Sequence, residues 1–217
     1  MKTIDFKYRL AGYLLLYVVT DERLSRGRPD HEVAALAVAG GAGVIQMRVK
    51  HASTRMLLQR AGAIKRELDG RAIFIVNDRV DVALAVDADG VHLGQDDMPL
   101  RMARDMLGPD KIIGVSVSCV EEALAAEAGG ADYLGASAVF STATKADAEA
   151  MGLNGLRAVC GSVGIPVVGI GGINRHNSRQ VMAAGAAGVA VVSAVVSATD
   201  ITRAASELLA EIKKQTG

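Results

Sequence analysis

Short apolar runs alternate with amphipathic stretches along the whole chain. Residues 13–20, 44–48, 72–76, 89–93, 112–115, 132–135, 166–170 and 188–192 read as strands. They are close to continuously hydrophobic, as strands buried on both faces must be. Each precedes a segment of helical character: 31–40, 53–68 with Ser53 as its N-cap, 80–86, 99–107, 120–128, 153–160, 177–184 and 201–213. Eight β-then-α units without a break in composition predict a parallel sheet. Eight such units in about 200 residues fit a compact (β/α)8 TIM barrel, with an open doubly wound sheet as the alternative that pattern alone leaves standing. The expectation is a single domain over 1–217 with a short N-terminal extension, a helix that closes the barrel bottom. Glycine clusters at 40–43, 129–132 and 185–188 fall between helix and next strand, where left-handed C-caps belong.

Composition narrows the class. Half of the 217 residues are hydrophobic but only 3% are aromatic, so the core is built from Val, Ile, Leu, Met and Ala. With 24 basic and 24 acidic side chains the formal charge is zero, which argues against a nucleic-acid partner. Cys119 and Cys160 lie far apart without a CxxC spacing, the pattern of reduced thiols in a cytoplasmic protein. The longest near-apolar stretch, 186–198, is too short for a bilayer, so no membrane partner is expected. Homo-oligomerisation has no readable signature.

In a barrel of this type the chemistry sits at the C-terminal ends of the strands. Read in order, those ends carry Gln46-Met47-Arg48-Val49-Lys50, then Asn77-Asp78-Arg79, then His92-Leu93-Gly94-Gln95-Asp96-Asp97, then Ser116 and Ser118. The sixth runs into Phe140-Ser141-Thr142-Ala143-Thr144-Lys145, the seventh into Gly171-Gly172 and the eighth into Val192-Ser193-Ala194. Hydroxyls and an ammonium on one loop are a grip for a phosphorylated ligand. Arg48 offers a planar fork, while Lys50 and Lys145 are point charges, and three cations from two loops suit a diphosphate. Lys50 and Arg79 taken singly also fit solvated surface charges. Asp78 and Asp97 follow adjacent strands, and two carboxylates beside a diphosphate are a usual way to hold Mg²⁺. Helix capping is the competing role for Asp78 and, more strongly, for Asp96 ahead of Met98-Pro99; spacing alone does not separate Asp96 from Asp97. Backbone N–H groups at Gly171-Gly172 and at Val192-Ser193-Ala194 suit a second phosphate. His92 ends a strand, either touching substrate or hydrogen-bonded within the barrel, and no Ser–His–Asp or Cys–His arrangement is readable. A site without a nucleophile works by positioning and electrostatics.

Laid out this way, the chain resembles thiamine phosphate synthase over nearly its whole length. The motifs are residues 46–50, Asn77-Asp78-Arg79, Gly90-Val91-His92-Leu93-Gly94-Gln95, Gly114-Val115-Ser116, residues 142–145 and Ile170-Gly171-Gly172-Ile173, six in order. The resemblance implies joining of a hydroxymethylpyrimidine diphosphate to a thiazole phosphate with release of pyrophosphate. It implies that Gln46, Met47, Arg48, Val49, Lys50, Asn77, Ser116 and Lys145 hold the pyrimidine diphosphate, with Arg48, Ser116 and Lys145 bearing on the chemistry. Thr142, Ala143, Thr144, Gly172, Val192 and Ser193 would hold the thiazole phosphate, and Asp78 and Asp97 the Mg²⁺. The chain departs from the family pattern at Ser137 and Ala138, where a glycine and a proline are usual, and at Val49, where an acidic residue is common.

Three rivals fit the same barrel less well. A thiazole tautomerase would need neither the diphosphate cations nor the two metal carboxylates. A non-catalytic phosphometabolite-binding barrel could lose Asp78, Asp97 or Lys145 without penalty, yet all three are present. A sugar-phosphate isomerase would want a general acid/base pair.

Overall fold

The computed structural model describes residues 9–141 and 150–214. A closed barrel of eight parallel strands runs β1 (Leu16–Val19), β2 (Val44–Met47), β3 (Ile73–Asn77), β4 (Gly90–Leu93), β5 (Ile112–Val117), β6 (Tyr133–Ser137), β7 (Val167–Ile170) and β8 (Gly188–Val191), with β8 pairing β1. The helices, in chain order, are α1 (Leu10–Tyr13), α2 (Asp30–Ala39), α3 (Thr54–Leu68), α4 (Val80–Ala85), α5 (Leu100–Leu107), α6 (Val120–Ala128), α7 (Gly152–Ser162), α8 (Ser178–Ala183), α9 (Ser193–Val196) and α10 (Ile201–Lys213). The barrel is therefore the one predicted, and the open-sheet alternative is excluded.

Period-two alternation sorts the strands into two cores. Leu16, Val18, Ile45, Met47, Phe74, Val76, Val91, Leu93 and Leu134 point outward and join the helices in one cluster. Tyr17, Val19, Val44, Ile73, Ile75, Ile112, Tyr133, Val168 and Ala190 point inward and form a second. Leu10 and Leu14 belong to this inner cluster, at 5% and 0% exposure, so α1 and the turn after it plug the entry end. The first strand is shorter than the 13–20 span expected. An unbroken apolar run cannot distinguish a plugging helical turn from the strand that follows it.

Local rules account for most boundaries. Ser53 accepts the Met56 N–H and caps α3 as expected, and Asp200 accepts the Arg203 N–H at the start of α10. At the end of α2 the left-handed residue is Gly41, φ 98°, and the Ala42 N–H returns to the Ala37 carbonyl. A side chain at Gly41 would strain that turn.

Candidate active site

A cavity of about 670 Å³ opens where the strands end. Of the residues expected to act there, Gln46, Arg48, Lys50, Asn77, Asp78, Asp97, Ser116, Gly172, Val192 and Ser193 all line it. Thr142, Ala143, Thr144 and Lys145 lie outside the described residues. Met47 and Val49 do not line it, which corrects any side-chain role for them. On β2 the inward position is Gln46, so its neighbour Met47 points outward, 2% exposed in the helix-facing cluster, and Val49 packs against the same cluster.

Asp78 and Asp97 meet across the mouth. Asp78 sits in the left-handed region, φ 61°, and its N–H donates to the His92 carbonyl at 2.9 Å. The Asp97 Oδ2 accepts the Gly94 N–H at 2.7 Å, which ties down the turn after β4. Burial pushes the Asp78 carboxyl up to about 7, its hydrogen bond and charge contact with Asp97 push the same way, and Arg48 and Lys50 pull it down. Among the described residues neither carboxylate forms a salt bridge, and the guanidinium of Arg48 is paired with Asp21. Capping is not their role: the N-cap of α4 is Arg79 and that of α5 is Pro99, neither with a side-chain cap bond. Asp96 is exposed at the rim, so the carboxylate that faces Asp78 is Asp97. Arg79 turns away to pair with Asp81 at 2.6 Å and donates to the Thr54 hydroxyl, a surface role.

Arg48 is placed by contacts that spacing did not disclose. Its N–H donates to the Thr20 hydroxyl at 3.3 Å, and its guanidinium lies 3.6 Å from Asp21 Oδ2. Across the mouth, Gly171 and Gly172 have φ of 102° and 64°. A Cβ on Gly172 would sit 2.8 Å from Phe140 Cβ and 2.9 Å from the Ser141 carbonyl. Only glycine gives this turn, which the Asn177 side chain braces by donating to the Gly172 carbonyl. The N–H groups of Ser193 and Ala194 open α9 beside it, ahead of its first intrahelical bond, and unpaired first-turn N–H groups favour an anion.

Beneath the mouth lies a buried polar chain. Gln46 Nε2 donates to the Tyr17 hydroxyl at 2.6 Å, and the Tyr17 and Tyr133 hydroxyls are 2.8 Å apart. Tyr133 is 2.9 Å from His92 Nδ1, and His92 Nε2 is 2.9 Å from Ser116 Oγ. Sequence spacing does not disclose this serine–histidine contact. The register pairs His92 with Gly114, so Ser116 is the next inward position on the adjacent strand. Tyr17 and Tyr133 were missed because they look like core residues one layer below the strand ends; the signal that could have found them was the inward frame shared with Gln46 and His92.

Among the described residues no group of three or more His, Cys, Asp and Glu side chains converges on a metal-sized site, and no helix is long and apolar enough to cross a membrane. Two carboxylates alone fit Mg²⁺, which takes its remaining oxygens from water and phosphate.

A family model described as thiamine monophosphate synthase matches residues 16–195. A thiamine-phosphate synthase of Chloroflexus aurantiacus is 58% identical over 198 residues, 90% of this chain and 91% of that one. One from Moorella thermoacetica is 51% identical over 205 residues, 93% of this chain and 97% of its own. The solved structure of thiamine phosphate pyrophosphorylase from Pyrococcus furiosus superposes with a TM-score of 0.89 at 49% identity, covering 96% of this chain and all of that one. Barrel, strand-end motifs and these likenesses agree, and the chain belongs to the thiamine monophosphate synthase family.

Proposed function

We propose that this protein makes thiamine phosphate by joining a hydroxymethylpyrimidine diphosphate to a thiazole phosphate, in one barrel domain spanning 1–217. The observation that carries the reading is the division of one mouth into two halves. On one side stand the paired carboxylates Asp78 and Asp97 with Arg48 and Lys50; on the other, the glycine turn at 171–172 and the start of α9. A diphosphate suits the first half and a monophosphate the second.

In the reaction, the bond from the pyrimidine methylene to the diphosphate oxygen breaks, and its electron pair leaves with the diphosphate. The thiazole nitrogen then donates its lone pair to that carbon, forming the C–N bond. Arg48 holds the departing oxygens bidentately, Lys50 adds positive charge, and Asn77 and Ser116 donate hydrogen bonds; Lys145 is assigned to the same group from the sequence. Gln46 orients the pyrimidine from the floor, while the main chain at Gly172, Val192 and Ser193, with Thr142, Ala143 and Thr144, holds the thiazole phosphate. Asp78 and Asp97 would bind Mg²⁺, which when bound neutralises charge that gathers on the leaving diphosphate. No step asks a side chain to act as nucleophile, which accords with a site of donors and charges.

The test is to mix both phosphorylated precursors with Mg²⁺ and follow thiamine phosphate and pyrophosphate. Equal amounts of the two products support the reading. Neither product, with the thiazole alone converted to an isomer, would overturn it in favour of the tautomerase.

A further inference from the structure

The polar chain under the mouth has a direction. Gln46 Nε2 can only donate, so the Tyr17 oxygen accepts from it. Among the described residues the Tyr17 hydroxyl has one further partner, Tyr133, so the Tyr17 proton goes to the Tyr133 oxygen. The Tyr133 proton must then go to His92 Nδ1, since its other neighbour is already donating to it. With Nδ1 accepting, the single proton of a neutral imidazole sits on Nε2 and is given to Ser116 Oγ. The reverse polarity would leave the Tyr17 proton facing a donor where that residue is 2% exposed, and a buried donor without an acceptor is disfavoured. Burial holds both phenols well above their ordinary range, so each keeps its proton.

We infer that Gln46, Tyr17, Tyr133 and His92 form a one-way hydrogen-bond chain that locks His92 as its Nε2–H tautomer and turns the Ser116 proton into the cavity. Ser116 is thereby a standing donor to the ligand, not a nucleophile. In a nucleophilic pair the histidine accepts the serine proton, and here it gives one. Tyr17 and Tyr133 are positioning residues that act through His92. The barrel is hollowed for this purpose: a Cβ on Gly114 would lie 2.1 Å from Tyr133 Cζ, and one on Gly135 would lie 3.0 Å from His92 Cε1. The inference deepens the proposed function in one respect, in taking Ser116 to face the diphosphate.

Two measurements decide it. Long-range proton–nitrogen NMR of the imidazole rings in the unliganded wild type should show His92 neutral, with its proton on Nε2; a proton on Nδ1 would overturn the inference without any variant. In Tyr133→Phe the ring should lose that single tautomer. The second measurement is a double-mutant cycle for thiamine phosphate formation with Tyr133→Phe, Ser116→Ala and the pair. Tyr133→Phe should lower kcat about ten- to a hundredfold, the range for removing a partner behind a functional group, with the thiazole phosphate KM unchanged. On the Ser116→Ala background it should cost almost nothing more. Full additivity would show that Tyr133 acts on the ligand directly and overturn the relay. A wild type that forms no thiamine phosphate would overturn the functional reading, while the ring-nitrogen spectrum still judges the tautomer.

Discussion

Four aspartates at the two ends of this barrel are handled in opposite ways. At the entry end, Asp89 precedes β4 and Asp132 precedes β6. Asp89 accepts from the Lys65 ammonium at 3.3 Å and from the Phe74 N–H at 2.8 Å. Asp132 accepts from Arg104 at 2.7 Å and from the Ile113 N–H at 2.8 Å. Each joins a covering helix to the barrel wall and has its charge met within the fold. At the exit end, Asp78 and Asp97 face one another, and the proton is held on Asp78 up to about 7. Carboxylates that serve folding are matched by the fold; the pair proposed for a metal has no salt bridge among the described residues.

This contrast predicts opposite outcomes for similar substitutions. The largest effect belongs to the exit end: Asp78→Asn and Asp97→Asn should each lower kcat about 10²–10³-fold, the scale for losing one electrostatic element of a preorganised site. Steady-state assays across a magnesium titration check this, and an unchanged metal response in both variants would contradict it. Lys145→Ala should cost kcat a comparable factor and leave the thiazole phosphate KM nearly unchanged, because its ammonium is assigned to charge that grows as the carbon–oxygen bond breaks.

At the entry end, Asp132→Ala should destabilise by about 2–3 kcal/mol in urea denaturation and leave kcat per folded molecule intact. That is less than the cost of breaking a fully buried pair, since Arg104 is 21% exposed and keeps the carbonyls of Gly108, Lys111 and Gly130. Catalytic loss without loss of stability would erase the distinction between the two ends.

A smaller effect follows from pH. The folded-state Asp78 binds its proton more tightly than an ordinary carboxyl, at about 7 against 3.8. Between those values the folded state holds more protons than the unfolded, so stability falls as pH rises through the window and is level above it. Asp78→Asn removes that slope. Its Tm relative to wild type should therefore rise from pH 4 to pH 7, as followed by calorimetry without divalent cations. The smallest effect is at an outward position: Met47→Leu should cost under about 1.5 kcal/mol and leave both KM values alone, as a volume-conserving swap in the helix-facing core.

What was legible beforehand follows the same division. The eight units could be read because strands buried on both faces must be apolar and their helices amphipathic. Exit-end groups such as Arg48, Asn77, Asp78 and Ser116 stood out because polar residues directly after apolar runs have no packing reason to be there. Met47 and Val49 were swept in with their motif because a contiguous stretch hides the period of two that turns alternate side chains away. Asp21 beside Arg48, and Tyr17 and Tyr133 beneath Ser116, are contacts between strands distant in the chain. Strand register decides them, and register is invisible until the barrel closes.

The most direct test of the account pairs two readings on one preparation of Asp97→Asn, a change that keeps an acceptor for the Gly94 N–H. Thiamine phosphate formation and thermal unfolding are measured together at pH 8 without divalent cations and again with Mg²⁺. The account predicts activity lost by at least about a hundredfold, a Tm at or above wild type without the metal, and no stabilisation on adding it. Retained activity, or a Tm that falls along with activity, would contradict it.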